Sequence, residues 1–360
     1  MKNKRVTKAV CFILTIYTLL LPCGLCVSAE ESTPVLSENV KVGSRLWELF
    51  FGEEKKQDNT VCLVPGGGVF GVKIKQKYVS IIESTGVPAL RGGDLILSLD
   101  GRAVSSAEEV KRIVEESEGE SITIRALRGN EEVAVEVKPS LREGKYALGL
   151  SLRDGAAGLG TVTYIDPKTG AFGGLGHGIC DSENGRVISM ESGEVCGVIL
   201  GGVHKGESGK PGELCGVLTD KDIGDLSINS ECGVFGVITD SKMLAASAIP
   251  IGTRQEIHEG EATIISTIKN AKSAEYKIEI YDIDRGSDGS KSFRIRVTDE
   301  TLKALTGGIV RGMSGSPIIQ DGKLVGAVTH VLVADPTEGY GIFIENMLNV
   351  ADSAEIGRAA

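Results

Sequence analysis

The hexapeptide Gly312-Met313-Ser314-Gly315-Ser316-Pro317 restricts this chain more than any other segment. A serine bracketed by glycines and closed by a proline does not continue a helix or a regular strand. The glycines admit backbone conformations barred to residues with a Cβ, so successive amides can converge on one point. Converging amides are what a developing oxyanion beside a serine nucleophile requires. The next residues, Pro317 to Val328, read as strand, Asp321-Gly322 turn, strand, and Asp-Gly between apolar runs is a strong hairpin signal. Plain turns also contain Gly-x-Ser-Gly, so the motif needs a base to support it.

Composition sets the frame. The chain has 360 residues, 48 of them glycine and only 4% aromatic, and its apolar content is mostly Val, Ile and Leu. This predicts a mainly β protein of many short strands, with room for two domains. A formal net charge of -10 argues against a nucleic-acid binder and for protein partners. At the N-terminus, Lys2, Lys4, Arg5 and Lys8 precede an apolar run ending near Cys26, and Val27-Ser28-Ala29 offers a cleavage site. Residues 1–29 are therefore expected to be a signal peptide or an N-terminal membrane anchor that exports the rest. Residues 30–59 read as a polar linker. Five cysteines follow it (Cys62, Cys180, Cys196, Cys215 and Cys232), an odd number with no CxxC spacing, so no zinc site is expected and one or two disulfides are open.

Residues 60–140 form a compact expected module. Its clearest part is Gly86 to Gly101, with Gly93-Asp94-Leu95-Ile96 leading to the Asp100-Gly101 turn. Ser106-Ala107-Glu108-Glu109 fits a helix capping box, and Val110, Ile113 and Val114 share one helical face. Strands are expected at Ser121–Leu127 and Glu132–Val137. The segment resembles the PDZ family. That resemblance implies that Phe70, Gly71 and Val72 belong to a loop holding a peptide carboxylate, beside an edge open to β-augmentation.

From Lys145 to the end, residues 145–360, strands are expected at Gly160–Ile165, Arg186–Met190, Ala262–Ile268, Tyr276–Ile283 and Ser292–Val297. Three Cys-Gly-Val units, at Cys196, Cys215 and Cys232, read as strand corners with small buried thiols. A serine hydroxyl needs a base. Of His177, His204, His258 and His330, the first is favoured, because Gly173-Gly174-Leu175-Gly176-His177-Gly178 is too glycine-rich for a packed core. Candidates for an orienting acid are Asp220, Asp222, Asp225, Asp240, Asp282, Asp284 and Asp299. Asp299 could equally cap the helix that follows it.

The order of PDZ module, Gly-His-Gly, Val-Thr-Asp and Gly-Met-Ser-Gly-Ser-Pro, then Thr329-His330-Val331-Leu332-Val333-Ala334-Asp335-Pro336, resembles the stage IV sporulation protein B serine peptidases of endospore formers. The resemblance implies a catalytic set of His177, Asp299 and Ser314. It also implies export across the forespore membrane into the intermembrane space, processing of the chain near its own N-terminus, and cleavage of a membrane-bound inhibitor of an intramembrane protease. That protease would then activate the late mother-cell sigma factor. Met313 stands where trypsin-like enzymes carry an aspartate, so zymogen activation by a new N-terminus is not expected.

The sequence thus predicts a PDZ domain followed by a chymotrypsin-like β-barrel serine endopeptidase, with Gly312 and Ser314 amides as oxyanion hole and no cofactor or metal. The alternative is a catalytically silent PDZ-type regulator of a membrane complex.

Overall fold

The computed structural model describes residues 61–240, 243, 246–269 and 272–359; the expected targeting segment and linker lie outside them. The chain begins with β1 (Cys62–Pro65) and β2 (Val69–Ser84). There follow β3 (Leu95–Leu99), β4 (Arg102–Ala103), α1 (Ala107–Glu116), β5 (Ile122–Arg128), β6 (Glu131–Val137), β7 (Ser140–Arg142) and β8 (Lys145–Ala147). Next come β9 (Leu150–Ile165), β10 (Ala171–Gly174), β11 (Met190–His204), β12 (Glu213–Ser230), β13 (Gly233–Ile238) and β14 (Ile249–Pro250). The last part contains β15 (Gly260–Lys269), β16 (Lys272–Tyr281), β17 (Phe293–Val297), α2 (Glu300–Thr306), β18 (Pro317–Gln320), β19 (Lys323–Leu332), β20 (Asp335–Phe343) and α3 (Ile344–Ala359).

Two closed rings of antiparallel strands dominate. In the first, β2 pairs with β9, β9 with β10, β10 with β13, β13 with β12, β12 with β11, and β11 with β2 again. Phe70, Val72, Val162, Phe172, Val195 and Val234 fill its core. The second is the barrel β15-β16-β17-β20-β19-β18, packed with Ile264, Ile278, Phe293, Ile295, Val328 and Phe343. Closure leaves neither ring a free edge on which another chain could pair.

The PDZ-like module grows out of the first ring between β2 and β9, and the reason is legible in β2. Its buried apolar side chains fall on even positions at Phe70, Val72 and Ile74, then on odd positions at Val79 and Ile81, with the polar Gln76 and Ser80 also buried on the even face. Side chains alternate faces along a strand, so this change of phase passes the buried face from one core to another. The register against β9 breaks there, between Lys75 and Ser80. Val79 and Ile81 enter a separate core with Ile96, Leu99, Val110, Ile113, Val114 and Ile124. Strand β9 makes the same crossing, so the expected boundaries of 60–140 and 145–360 are not those of the cores. Residues 62–76 belong with the first ring, and the module is an insertion in it.

Three expectations are corrected. Phe70, Gly71 and Val72 form no carboxylate loop, because their backbone pairs with Gly160, Leu159 and Gly158 of β9, while Gly71 and Val72 also face Cys196 and Val195 of β11. A Cβ on Gly71 would lie 2.4 Å from Leu218 Cδ2 and 2.7 Å from Cys196 Sγ. Arg186–Met190 is not a strand, for only the single bridge Cys180–Val187 forms before β11 begins at Met190. The capping box is shifted by one residue: Ser106 Oγ accepts from Glu109 N at 3.1 Å, but Glu109 Oε2 accepts from Ser105 N at 2.8 Å. No disulfide joins Cys180, Cys196, Cys215 or Cys232.

Asp94 ties the module together. It is 1% exposed and accepts from Arg128 Nε at 2.9 Å, Arg128 Nη2 at 2.6 Å and Arg91 N at 3.0 Å. Burial alone would raise its pKa, but the Arg128 guanidinium and the Arg91 amide outweigh it and hold the carboxyl below its ordinary 3.8. A depressed carboxylate stabilises the fold above its unfolded pKa and loses that contribution as pH falls through the folded value. Asp94→Ala is expected to cost about 1–3 kcal/mol by removing the buried acceptor of the Arg91 amide and of Arg128. Urea unfolding should show that deficit undiminished at neutral pH and shrinking only below the ordinary carboxylate range.

Candidate active site

The nucleophile loop sits where the two rings meet. Residues 312–316 precede β18, and a pair of threonines on β9, both fully buried, reach across to them. Thr161 Oγ1 donates to Gly312 O at 2.8 Å, Thr163 Oγ1 donates to Gly315 O at 2.8 Å, and Thr161 N donates to Ser314 O at 2.9 Å. Gly315, at φ +93°, lies so close that a Cβ there would come within 2.0 Å of Thr161 O and 2.4 Å of Leu175 N. Met313 is fully buried in the second core, which explains an apolar residue before the serine.

Ser314 is half-buried, and its hydroxyl donates to Thr329 O at 2.8 Å. Among the described residues, the amides of Gly312 and Ser314 donate to no acceptor, whereas Met313 N, Gly315 N and Ser316 N are paired with Val310 O, Val328 O and Met313 O. Two unpaired amides beside one serine have the composition of an oxyanion hole.

His177 follows β10, which ends at Gly174 on the first ring. Leu175, buried at φ +65°, and Gly176, at φ +67°, turn the chain sharply. A left-handed buried leucine is rare and costs about 1–3 kcal/mol; here it delivers the imidazole to β19. His177 and His330 lie with ring centroids 5.0 Å apart and planes at 39°. Both border a cleft of about 550 Å³ with Cys180, Glu231 and Ser290. Burial lowers the His177 pKa below 6.5, only partly offset by its bond to Gly178 O. His330 is pushed down to about 4 by burial first, then by His177 and Lys291. Nδ1 of His177 lies 2.9 Å from Gly178 O. A carbonyl only accepts, so the proton of the neutral ring is on Nδ1 and Nε2 is left with its lone pair.

The structure does not bring Asp299 to this pair. Asp299 is the N-cap of α2, with Oδ1 accepting from Leu302 N at 2.9 Å and Oδ2 from Lys277 N at 3.3 Å. It stands at the opposite end of β17 from the cleft residue Ser290, a strand of five residues, or about 16 Å. Asp220, Asp222, Asp225, Asp240, Asp282 and Asp284 make no hydrogen bond to His177 either. The oxygen that holds the ring is a backbone carbonyl, which no residue type in a sequence announces. Thr161 and Thr163 were missed for a related reason, since alternating threonines in a strand carry no local signal.

Residues 144–348 match the family of the SpoIVB peptidase S55. The chain belongs to that family. SpoIVB peptidase S55 membership makes it a serine peptidase acting on protein substrates, and the His177, Asp299 and Ser314 motifs lie within the matched span, whereas the PDZ-like module precedes it. Among solved structures, the PDZ domain of the SdrC-like protein Lmo2051 from Listeria monocytogenes is 25% identical, with 22% of this chain and 93% of that chain covered and a TM-score of 0.21. The Rv3671c protease from M. tuberculosis in its active form is 13% identical over 69% of this chain and 86% of that one, at a TM-score of 0.31. Its inactive form is 12% identical over 54% and 83%, also at 0.31. No curated protein sequence matches. The mainly β architecture with a closed six-stranded barrel is the expected one, here with the module inserted in the first ring.

Thr161→Val keeps the shape but leaves Gly312 O without its buried donor. The expected cost is about 1–3 kcal/mol in unfolding free energy, with a loss of peptidase activity exceeding the loss of folded protein. Asp299 is tested by a pair of variants. Asparagine caps helices as well as aspartate, so Asp299→Asn should keep kcat within about threefold, while Asp299→Ala should cost about 1 kcal/mol of stability. An orienting carboxylate would instead make Asp299→Asn cost about 10⁴-fold in kcat.

Proposed function

We propose that this chain is an exported serine endopeptidase in which Ser314 attacks the scissile carbonyl and His177 Nε2 takes its proton. The observation that supports this most is the half-buried His177, whose tautomer is set by Gly178 O and whose loop packs against the nucleophile loop. In the resting arrangement the Ser314 hydroxyl is turned to Thr329 O. Attack requires it to leave that carbonyl and swing between staggered positions toward His177. The tetrahedral oxyanion then falls to the Gly312 and Ser314 amides, each worth about 3–4 kcal/mol in comparable sites. Protonated His177 returns its proton to the leaving amine, and water repeats the sequence on the acyl-enzyme. Asp299 enters as a positioning residue, since the helix it caps leads into the nucleophile loop.

The proposed setting is the space between the forespore membranes. The basic-then-apolar start of the sequence supports export, and the family supports a substrate that is a membrane-bound inhibitor of an intramembrane protease, with self-processing near the N-terminus. A silent regulator is the second reading, favoured by the engagement of the Ser314 hydroxyl with Thr329 and by the lack of a carboxylate on His177 among the described residues.

Mass spectrometry of the purified chain over time, beside Ser314→Ala, separates the two. Fragments are expected from the wild type, with kcat on a cleaved peptide falling about 10⁶-fold in the variant. Two unchanged masses, with and without membrane substrates, would leave the regulator. The base must be neutral to act, and the His177 pKa is lowered. Activity should therefore be retained as pH falls to 6.5 and decline only below it, so an acid limb in kcat/KM above 6.5 would count against His177.

A further inference from the structure

The far end of the β11–β12 hairpin gathers three metal-binding side chains that the peptidase reading does not use. His204 of β11 lies directly across the ladder from Glu213 of β12, and Cys215 is two residues further along β12. Alternation places Glu213 and Cys215 on one face. His204 Nδ1 is 3.2 Å from Glu213 Oε1 and 3.5 Å from Cys215 Sγ, and the ligand atoms of all three lie within 4.8 Å of one another. Tetrahedral zinc with ordinary bond lengths sets its ligands about 3.3 Å apart for a nitrogen–oxygen pair and about 3.5 Å for nitrogen–sulfur.

We propose that His204, Glu213 and Cys215 form a zinc site, with a fourth position left to solvent or to an incoming ligand. Thiolate, imidazole and carboxylate together suit zinc better than calcium or magnesium, which take oxygen ligands. No CxxC spacing announces this site, because its ligands come from two strands joined by a loop. Each would bind as Cys thiolate, neutral imidazole and carboxylate, so binding releases the thiol proton and strengthens with rising pH.

The site has a structural consequence. It spans the base of the loop 205–212, whose Gly206 N donates to Thr306 O at 2.8 Å, and Gly212 O accepts from Arg311 N at 2.9 Å. Leu214 N in turn donates to Arg311 O at 2.9 Å. A metal joining the two strands at this point holds the hairpin end that pairs with the residues entering the nucleophile loop. The binding claim itself rests on no assumption about peptidase activity.

Cobalt(II) is the probe, titrated into the full chain carrying Ser314→Ala so that cleavage does not interfere. Expected are a near-ultraviolet thiolate-to-cobalt charge-transfer band, tetrahedral visible absorption, and displacement of both by zinc. Cys215→Ser should abolish the band, and His204→Ala should weaken cobalt binding roughly tenfold or more. Both side chains are at the surface, so neither variant threatens the fold. Zinc should slow hydrogen exchange of the amides in residues 205–214 in the Ser314→Ala chain and not in the chain that also carries Cys215→Ser. No band, a band that survives Cys215→Ser, or unchanged affinity in His204→Ala would overturn the proposal.

Discussion

Two threonine hydroxyls hold the active centre together. Thr161 and Thr163 belong to the first ring, yet they donate to carbonyls of Gly312 and Gly315, which belong to the loop before the second. A buried carbonyl without a donor costs more than a made hydrogen bond contributes, so these contacts fix the loop chiefly by making its alternatives expensive. They also use up the carbonyls on that side. Among the described residues, the Gly312 and Ser314 amides are left unpaired, which is what the proposed oxyanion hole requires. Gly315 permits the approach, since any side chain there would collide with Thr161 and Leu175. The serine is therefore defined by the neighbouring ring as much as by its own motif.

The same strand connects the centre to the PDZ-like module. β9 passes through the module at Leu150–Arg153, pairs with β2 along both cores, and ends at Thr161, Thr163 and Ile165. The module is thus an outgrowth of two ring strands, with no flexible tether between them. A peptide added to its edge would load β2 and β9 directly. Those strands place the threonines that hold the nucleophile loop, and His177 follows their neighbour β10.

Much of this was legible in the sequence where the signal was local. The Asp321-Gly322 hairpin, helix Ala107–Glu116 and the strands 122–128 and 131–137 come from turn chemistry and periodicity within a few residues. The serine and histidine loops were legible from their glycines, but not because such stretches avoid the core: Leu175 and Met313 are both packed in it. Phe70–Val72 misled because Gly-containing apolar runs suit both a PDZ loop and a central strand; the phase change at Gln76–Val79 is the feature that distinguishes them. Asp299 was ambiguous on its own terms, a cap signal and a triad signal in one residue, and its two backbone donors resolve it as a cap. What could not be read were the long-range pairings, Thr161 with Gly312 and His177 with His330, which depend on how two rings meet.

The histidine pair gives the proposed chemistry its particular balance. His330, held near pKa 4 with its Nδ1 buried and unbonded among the described residues, remains neutral through the physiological range. His177 disfavours charge on His330, and burial disfavours charge on both. His177 is therefore a ready acceptor at neutral pH but gains little from a neighbouring anion once protonated, since Gly178 O offers a dipole in place of a full charge. A carboxylate would stabilise that imidazolium continuously. In the proposed chemistry the stabilising charge is the oxyanion itself, formed in the same event and held by Gly312 and Ser314. The ion pair exists only with a substrate carbonyl in place, and it is strongest when that substrate excludes water from the cleft. Such a centre stays quiet when it is empty, with Ser314 resting on Thr329, and its reactivity depends on the protein that fills it.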